Sequence, residues 1–360
     1  MQHQDGPVDQ QPDSPKRLRA PDAGPRRNVV AIGGSAGALD AMLTIVAAFP
    51  PDYDGNIFVV SHIGANMSHL PALMAAAGPL RARHPEDGEA IRPGIVYVAP
   101  PDRHMLVRPD HIRLSRGPRQ HFTRPAIDPL FRSAAESFGP RVVGVVLSGT
   151  GGDGTAGLEA IREAGGTTVI QRPSDALYPE MPRSAAAAVA IDHVCSVVEL
   201  PVLLRRLSSE PVAAGFHHAQ LARTAMDELE RPVALTCPEC GGALREAGSA
   251  KVKEYRCHIG HRFSPEEVLS GQSNGVEEAV GVAVRVLNER IELCRQMAEN
   301  ARRNGRSLGV AHWQRLHNEA DAQLSVLRRF LAQQPLAQEP LAQEPLAQGA
   351  VEPAGAGGAR

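Results

Sequence analysis

Three short segments carry the groups that acyl-transfer chemistry needs. In Gly33-Gly34-Ser35-Ala36-Gly37 a serine stands at the centre of G-x-S-x-G, after an apolar run over 29–34 and before a helical pattern over 38–49. A sharp strand-to-helix turn needs small neighbours, lifts the hydroxyl above the sheet edge and aims the next helix's N–H groups at the same spot. On its own the pentapeptide fits a glycine-rich turn with a serine helix cap at least as well. A serine also needs a base, and His62 closes the apolar run of 57–62. The chain has 14 histidines, so one alone carries little weight. The third group, Asp153, lies in Leu147-Ser148-Gly149-Thr150-Gly151-Gly152-Asp153-Gly154. There a carboxylate could hold an imidazole in one tautomer, or simply cap the following helix.

The same loop spells G-x-G-x-x-G through Gly149, Gly151 and Gly154, the dinucleotide fingerprint. The strand after it ends in Gln171-Arg172, where an NAD site needs an acid for the ribose. An NADP site stays open as a minor alternative. A second cluster follows further on. Two residues separate Cys237 from Cys240, sixteen separate Cys240 from Cys257, and three separate Cys257 from His261. Thiolate and imidazole ligands at such spacing suit a closed tetrahedral zinc site of structural type. His258 is a rival for the fourth position, made awkward by its adjacency to Cys257. Packing of reduced cysteines in a small core is the plainer alternative.

These groups need a scaffold, and the pattern supplies one. Apolar runs at 29–34, 57–62, 95–100, 141–148 and 167–171 alternate with helical stretches at 38–49, 67–77, 128–138 and 156–166. A hairpin is expected over 105–107 and 112–114. Near-continuous apolar strands alternating with helices predict an α/β fold, a doubly wound, mostly parallel sheet with helices on both faces. Successive strand ends then share one sheet edge, where Ser35, His62 and Asp153 could meet. This domain is expected over 28–207. A polar tail (1–27) reads as disordered, 208–236 as linker and 237–270 as a zinc-ribbon-like module. Residues 271–333 read as helical, with one apolar stripe through Val280, Val284, Leu287, Ile291 and Cys294 and another through Leu324, Leu327 and Leu331. Proline recurs every five residues in the repeat at Pro335, Pro340 and Pro345, so 334–360 reads as disordered.

The bulk numbers narrow the classes. The 360 residues carry a formal net charge of -2, which gives no footprint for nucleic acid. No run of eighteen apolar residues and no apolar leader is present, so neither membrane insertion nor secretion is expected. Five cysteines, three of them at metal spacing, suit a reducing, cytoplasmic setting.

Taken in order, IGGSAG, VVSH, VAPPDRHMLV (98–107), RPAIDPLF (124–131), LSGTGGDG and MPRSA (181–185) resemble the catalytic domain of the CheB-type chemotaxis protein-glutamate methylesterases. The order Ser, His, Asp differs from the Ser, Asp, His of α/β-hydrolases. The resemblance implies Ser35 as nucleophile, His62 as general base and acid, and Asp153 as the orienting carboxylate. It places backbone support for the oxyanion at Gly34, Ala36, Thr150 and Gly151. It implies hydrolysis of glutamate methyl esters on a methyl-accepting chemoreceptor or similar signalling protein, deamidation of glutamines, and a cognate methyltransferase as a further partner. No cofactor is implied for catalysis. The Cys/His segment resembles a small module found after some stand-alone domains of this kind. Departures are Ala36-Gly37-Ala38 for the usual Thr-Gly-Gly, Thr150 for Met and Pro101 for Gly. The 27 residues before the first strand are too few for the family's phosphoacceptor domain, so control in cis is not expected. A signalling scaffold with little turnover is the alternative function.

Overall fold

Alternation of side chains along each strand decides the architecture. In strand β1 (Val29–Gly34), Val29 and Ala31 point into one buried cluster and Val30 and Ile32 into another, so the strand is dry on both faces. The computed structural model describes residues 26–63, 67–212, 231–249 and 251–333. Seven strands form one sheet: β1, β2 (Asn56–Ser61), β3 (Arg81–Arg83), β4 (Ile95–Val98), β7 (Val142–Val146), β8 (Thr167–Gln171) and β9 (His193–Cys195). The spatial order is β3-β4-β2-β1-β7-β8-β9, and every neighbouring pair is parallel. The remaining strands of the domain, β5 (His104–Val107) and β6 (Ile112–Ser115), form the expected antiparallel hairpin.

Helices α1 (Leu39–Ala47), α2 (Leu70–Ala77) and α6 (Leu200–Ser209) cover one face. Helices α3 (Ile127–Phe138), α4 (Thr155–Glu163) and α5 (Glu180–Ala188) cover the other. The chain leaves β1 toward β2 on one side and later returns to β7 on the other side of β1. That reversal opens a crevice beyond the carboxyl ends of β2, β1 and β7, the place where such sheets bind ligands. The doubly wound fold is as expected. The short edge strands β3 and β9 carry no apolar run and were not anticipated.

Beyond residue 230 the boundaries differ from those expected. A four-stranded antiparallel sheet runs in the order β10 (Arg231–Thr236), β11 (Ala243–Gly248), β12 (Lys253–Cys257) and β13 (Arg262–Phe263). Its first strand occupies the end of the stretch read as linker, because Arg231 and Pro232 pair with Glu246 and Arg245. Helix α7 (Pro265–Arg303) begins inside the expected module and is followed by α8 (Ser307–Gln333). The chain divides into two units after Gly271, so the parallel sheet and the small sheet belong to one unit. In the second, Cys294, Ala298, Ala301, Ala320 and Leu324 are buried, and the two expected stripes are otherwise half-buried. The two predicted disordered tails, apart from Arg26 and Arg27, lie outside the described residues, as does 213–230.

Close packing of α4 on β7 rests on Gly144. A Cβ there would stand 2.5 Å from Ile161 Cδ1 and 2.9 Å from Leu158 Cδ2. Gly144→Ala is expected to lower stability by about 1–3 kcal/mol, read as a lower urea midpoint at unchanged slope. An unchanged midpoint would mean that the helix can shift without cost.

Candidate active site

Parallel register sets the first pair. Gly34 lies opposite Ser61, the last residues of β1 and β2, so Ser35 and His62 leave adjacent strands side by side. Neighbouring strands are about 4.8 Å apart. On its other flank, Ser35 donates its N–H to the Ser148 carbonyl at 2.9 Å, where the chain leaves β7. Ser148 braces this edge. Its hydroxyl donates to the Ala36 carbonyl at 2.8 Å and accepts the Tyr178 N–H at 2.9 Å. The turn at Gly149 is clamped by the same segment, with Gly149 N–H on the Tyr178 carbonyl and Met181 N–H on the Gly149 carbonyl. MPRSA therefore holds the aspartate loop by the Met181 N–H on the Gly149 carbonyl and by the Ser184 hydroxyl on the Gly151 carbonyl.

His62 Nε2 lies 2.7 Å from Asp153 Oδ2, with the imidazole 10% and the carboxylate 1% exposed. Asp153 also accepts the N–H groups of Ile127 at 2.6 Å and Asp128 at 3.0 Å, at the start of α3. Burial alone would raise its pKa. The charge of His121, the hydrogen bond and charge of His62 and the Ile127 N–H outweigh burial and hold the carboxyl well below its usual range. An ionised carboxylate only accepts. His62 Nε2 must then carry the proton, which leaves Nδ1 as the acceptor nitrogen. The tautomer follows from the partner, as hydrogens are assigned through the network.

The α3 N-terminus is presented by the preceding loop, and His104 pins that loop. It donates from Nε2 to the Pro118 carbonyl at 2.9 Å and accepts the Ala126 N–H on Nδ1 at 3.2 Å. Arg124 adds bonds to Asp102 and to the carbonyls of Arg116 and Gly117.

Four positions were expected to supply oxyanion support, and the structure separates them. Gly34 is buried as the last residue of β1. The Gly151 N–H is taken by Glu180 Oε2 at 3.1 Å, which corrects its expected role as a donor. Ala36 and Thr150 are exposed at the two turns, and among the described residues their N–H groups have no acceptor.

Asp128 is the residue that motif reading missed. It is fully buried, and its Oδ1 accepts the N–H groups of Gly154 at 3.1 Å and Gly157 at 2.6 Å. A dinucleotide's pyrophosphate needs those same N–H groups at the start of the helix. The protein's own carboxylate fills the place, so the NADP alternative falls. Asp128 sits in the segment RPAIDPLF, but nothing local to that segment shows where its side chain reaches.

In the small sheet, the ligand atoms of Cys237, Cys240, Cys257 and His261 all lie within 4.8 Å of one another. Individual spacings are 3.7 Å for Cys240–Cys257 and 3.6 and 3.5 Å from His261 Nδ1 to Cys237 and Cys257. Each pair sits on a knuckle turned by a glycine with positive φ, Gly241 at 69° and Gly260 at 107°. The other ring nitrogen of His261 faces Glu239 Oε2 at 3.0 Å, the carboxylate partner typical of a metal-bound imidazole. His258 is exposed and outside the cluster. This Cys3His cluster could hold a metal ion.

The charge on Asp153 gives a pH signature. Its folded-state pKa is depressed, so its stabilising contribution is complete above the unfolded value of about 4 and is lost as pH falls through the lower folded value. Urea midpoints are expected to fall below about pH 4 in the wild type, and less steeply in Asp153→Asn. Equal slopes would show that this carboxylate does not couple to folding.

Comparison with known proteins follows the same residues. Residues 30–204 match the CheB methylesterase family. A Leptospira interrogans protein, provisionally named a protein-glutamate methylesterase/protein-glutamine glutaminase, is 38% identical over 180 residues, 49% of this chain and 93% of that protein. Two Anaeromyxobacter dehalogenans proteins with that name in firm form are 37% and 41% identical, over 54% and 49% of this chain. The chain spans 57% and 52% of their lengths. The crystal structure of the Thermotoga maritima CheB methylesterase catalytic domain is similar at 28% identity and a TM-score of 0.49, covering 52% of this chain and all of that one. The chain belongs to the CheB methylesterase family.

Proposed function

We propose that the chain hydrolyses glutamate methyl esters on a chemoreceptor or related signalling protein, with Ser35, His62 and Asp153 as the working groups. The observation that carries this reading is the His62–Asp153 bond at 2.7 Å beside a serine that directly follows the neighbouring strand, whose last residue Gly34 pairs with Ser61. Ser35 Oγ attacks the ester carbonyl carbon while its proton passes to His62 Nδ1. The C–O bond to methanol breaks, and methanol leaves with that proton. Water then attacks the acyl-serine, gives its proton to His62, and the serine departs protonated, freeing a carboxylate. The Ala36 and Thr150 N–H groups are the candidates to face the oxyanion. Asp153 keeps the imidazole oriented and stabilises its charged form. A glutamine side chain would follow the same course with ammonia in place of methanol, as the relatives' names indicate for them. Thr150 lies exposed beside the site, where its side chain could tune substrate preference.

The setting proposed is cytoplasmic, with a cognate methyltransferase supplying the ester. Among the described residues no helix is long and apolar enough to cross a membrane. The Cys3His cluster would hold structural zinc, since four protein ligands leave no open position for chemistry.

Two measurements test this reading. Methanol release from methylated receptor fragments should fall by roughly 10³-fold or more in Ser35→Ala. No release by the wild type would remove the enzyme and leave the scaffold alternative, and release surviving the substitution would remove the mechanism. Elemental analysis of the purified full chain should find close to one zinc per chain, reduced in Cys257→Ser. A metal-free wild type that stays folded would overturn the zinc assignment.

A further inference from the structure

The small sheet does more than follow the catalytic domain in sequence. Ser264 and Glu267 form a reciprocal capping box at the start of α7: Glu267 Oε2 accepts the Ser264 N–H at 2.8 Å, and Ser264 Oγ accepts the Glu267 N–H at 3.3 Å. A capping glutamate is held by its own helix. Here its oxygens also reach across to the catalytic domain. Oε2 lies 2.7 Å from His121 Nδ1, and Oε1 accepts the Gly152 N–H at 3.4 Å. Gly152 directly precedes Asp153 in the chain. His121, through Nε2, meets Asp128 Oδ2 at 2.9 Å and stands 3.7 Å from Asp153 Oδ1.

Around this line the burial is severe. His121 and Asp128 are 4% and 0% exposed at the side chain, and Glu254 of β12 is 3% exposed. Arg132 of α3 donates from Nη2 to both Glu254 oxygens at 2.8 Å, and Arg262 of β13 donates to Glu254 at 3.0 Å. The backbone joins in, with the His121 N–H on the Arg262 carbonyl at 2.9 Å. Phe122 packs against Phe263 with the rings tilted by 49° and their centroids 4.8 Å apart. His121 and Phe122 both hold positive φ, at 53° and 60°, a conformation that non-glycine residues keep only when their surroundings impose it. Charges taken out of water are tolerated only when each meets its partner, and removal of one leaves the others uncompensated. The partners here come from α3 and the loops beside it on one side and from the small sheet on the other.

We propose that the Cys/His module completes the catalytic apparatus, with Glu267 as a positioning residue that fixes Asp153 through His121 and Gly152. This rests on the esterase reading above. The hydrogen bonds of Glu267 go to His121, Gly152 and Ser264, and none goes to Ser35. It sets the charge and the backbone on which the orientation of Asp153, and hence of His62, depends. In that case a defect in the module is a defect in turnover and not in substrate binding.

The test uses the full chain with Glu267→Gln, which keeps size and acceptor but removes charge, and with Glu267→Ala. Two readouts are taken: kcat and KM for methanol release, and the ¹H–¹⁵N imidazole signal of the His62 Nε2 proton, identified by its loss in His62→Gln. Both variants should lower kcat about ten-fold or more with KM unchanged, and should shift the His62 signal. Glu246→Gln, on β11 of the small sheet and paired with Lys253, should do neither. A kcat within two-fold of wild type with an unmoved signal overturns the proposal, as does a change confined to KM. If Glu267→Ala fails to fold, Glu267→Gln decides. If the wild type releases no methanol, the esterase reading fails, and the His62 signal alone judges the coupling.

Discussion

One buried carboxylate organises this molecule. Asp153 is almost wholly removed from water and still ionised, so every hydrogen bond it accepts compensates an energetic cost that is otherwise large. The N–H groups at the head of α3 supply part of the compensation, and His62 and the nearby His121 supply more. From that requirement follow the position of α3, the loop that delivers it, the histidine that pins the loop, and the tautomer of His62. The site's chemistry is thus a by-product of solving an electrostatic problem inside an apolar sheet edge.

The sheet itself was legible because its central strands announce themselves. VVAIGG, IFVVSH and RVVGVVLS are buried on both faces, and only β-branched runs without polar alternation suit that environment. The edge strands were not legible for the converse reason. Arg81–Arg83 and His193–Cys195 are short and partly exposed, so neither composition nor period marks them. Strand β10 was hidden by Pro232, a residue that argues against a central strand and sits here on the first strand of the small sheet.

The candidate site divides along the same line. Ser35 and His62 could be picked out because each directly follows a strand, and Asp153 because its loop leaves a third; such exits converge at one edge of a parallel sheet. The Cys3His cluster could be found because its spacing is local. Asp128 and His121 could not, because their meaning lies in contacts with α4, with β13 and with the first turn of α7, far away in the chain. The glycine fingerprint misled for a related reason: the pattern describes a turn, and the turn's anion turned out to be a side chain of the protein.

That internal anion has a bearing on the product. Ester cleavage converts a neutral side chain into a negatively charged one beside the amino end of a helix, which is ordinarily a good trap for negative charge. Because Asp128 already occupies the α4 terminus, the newly made carboxylate meets a surface whose attraction has been spent on a resident group. That helix end therefore offers a product carboxylate no second anchoring place.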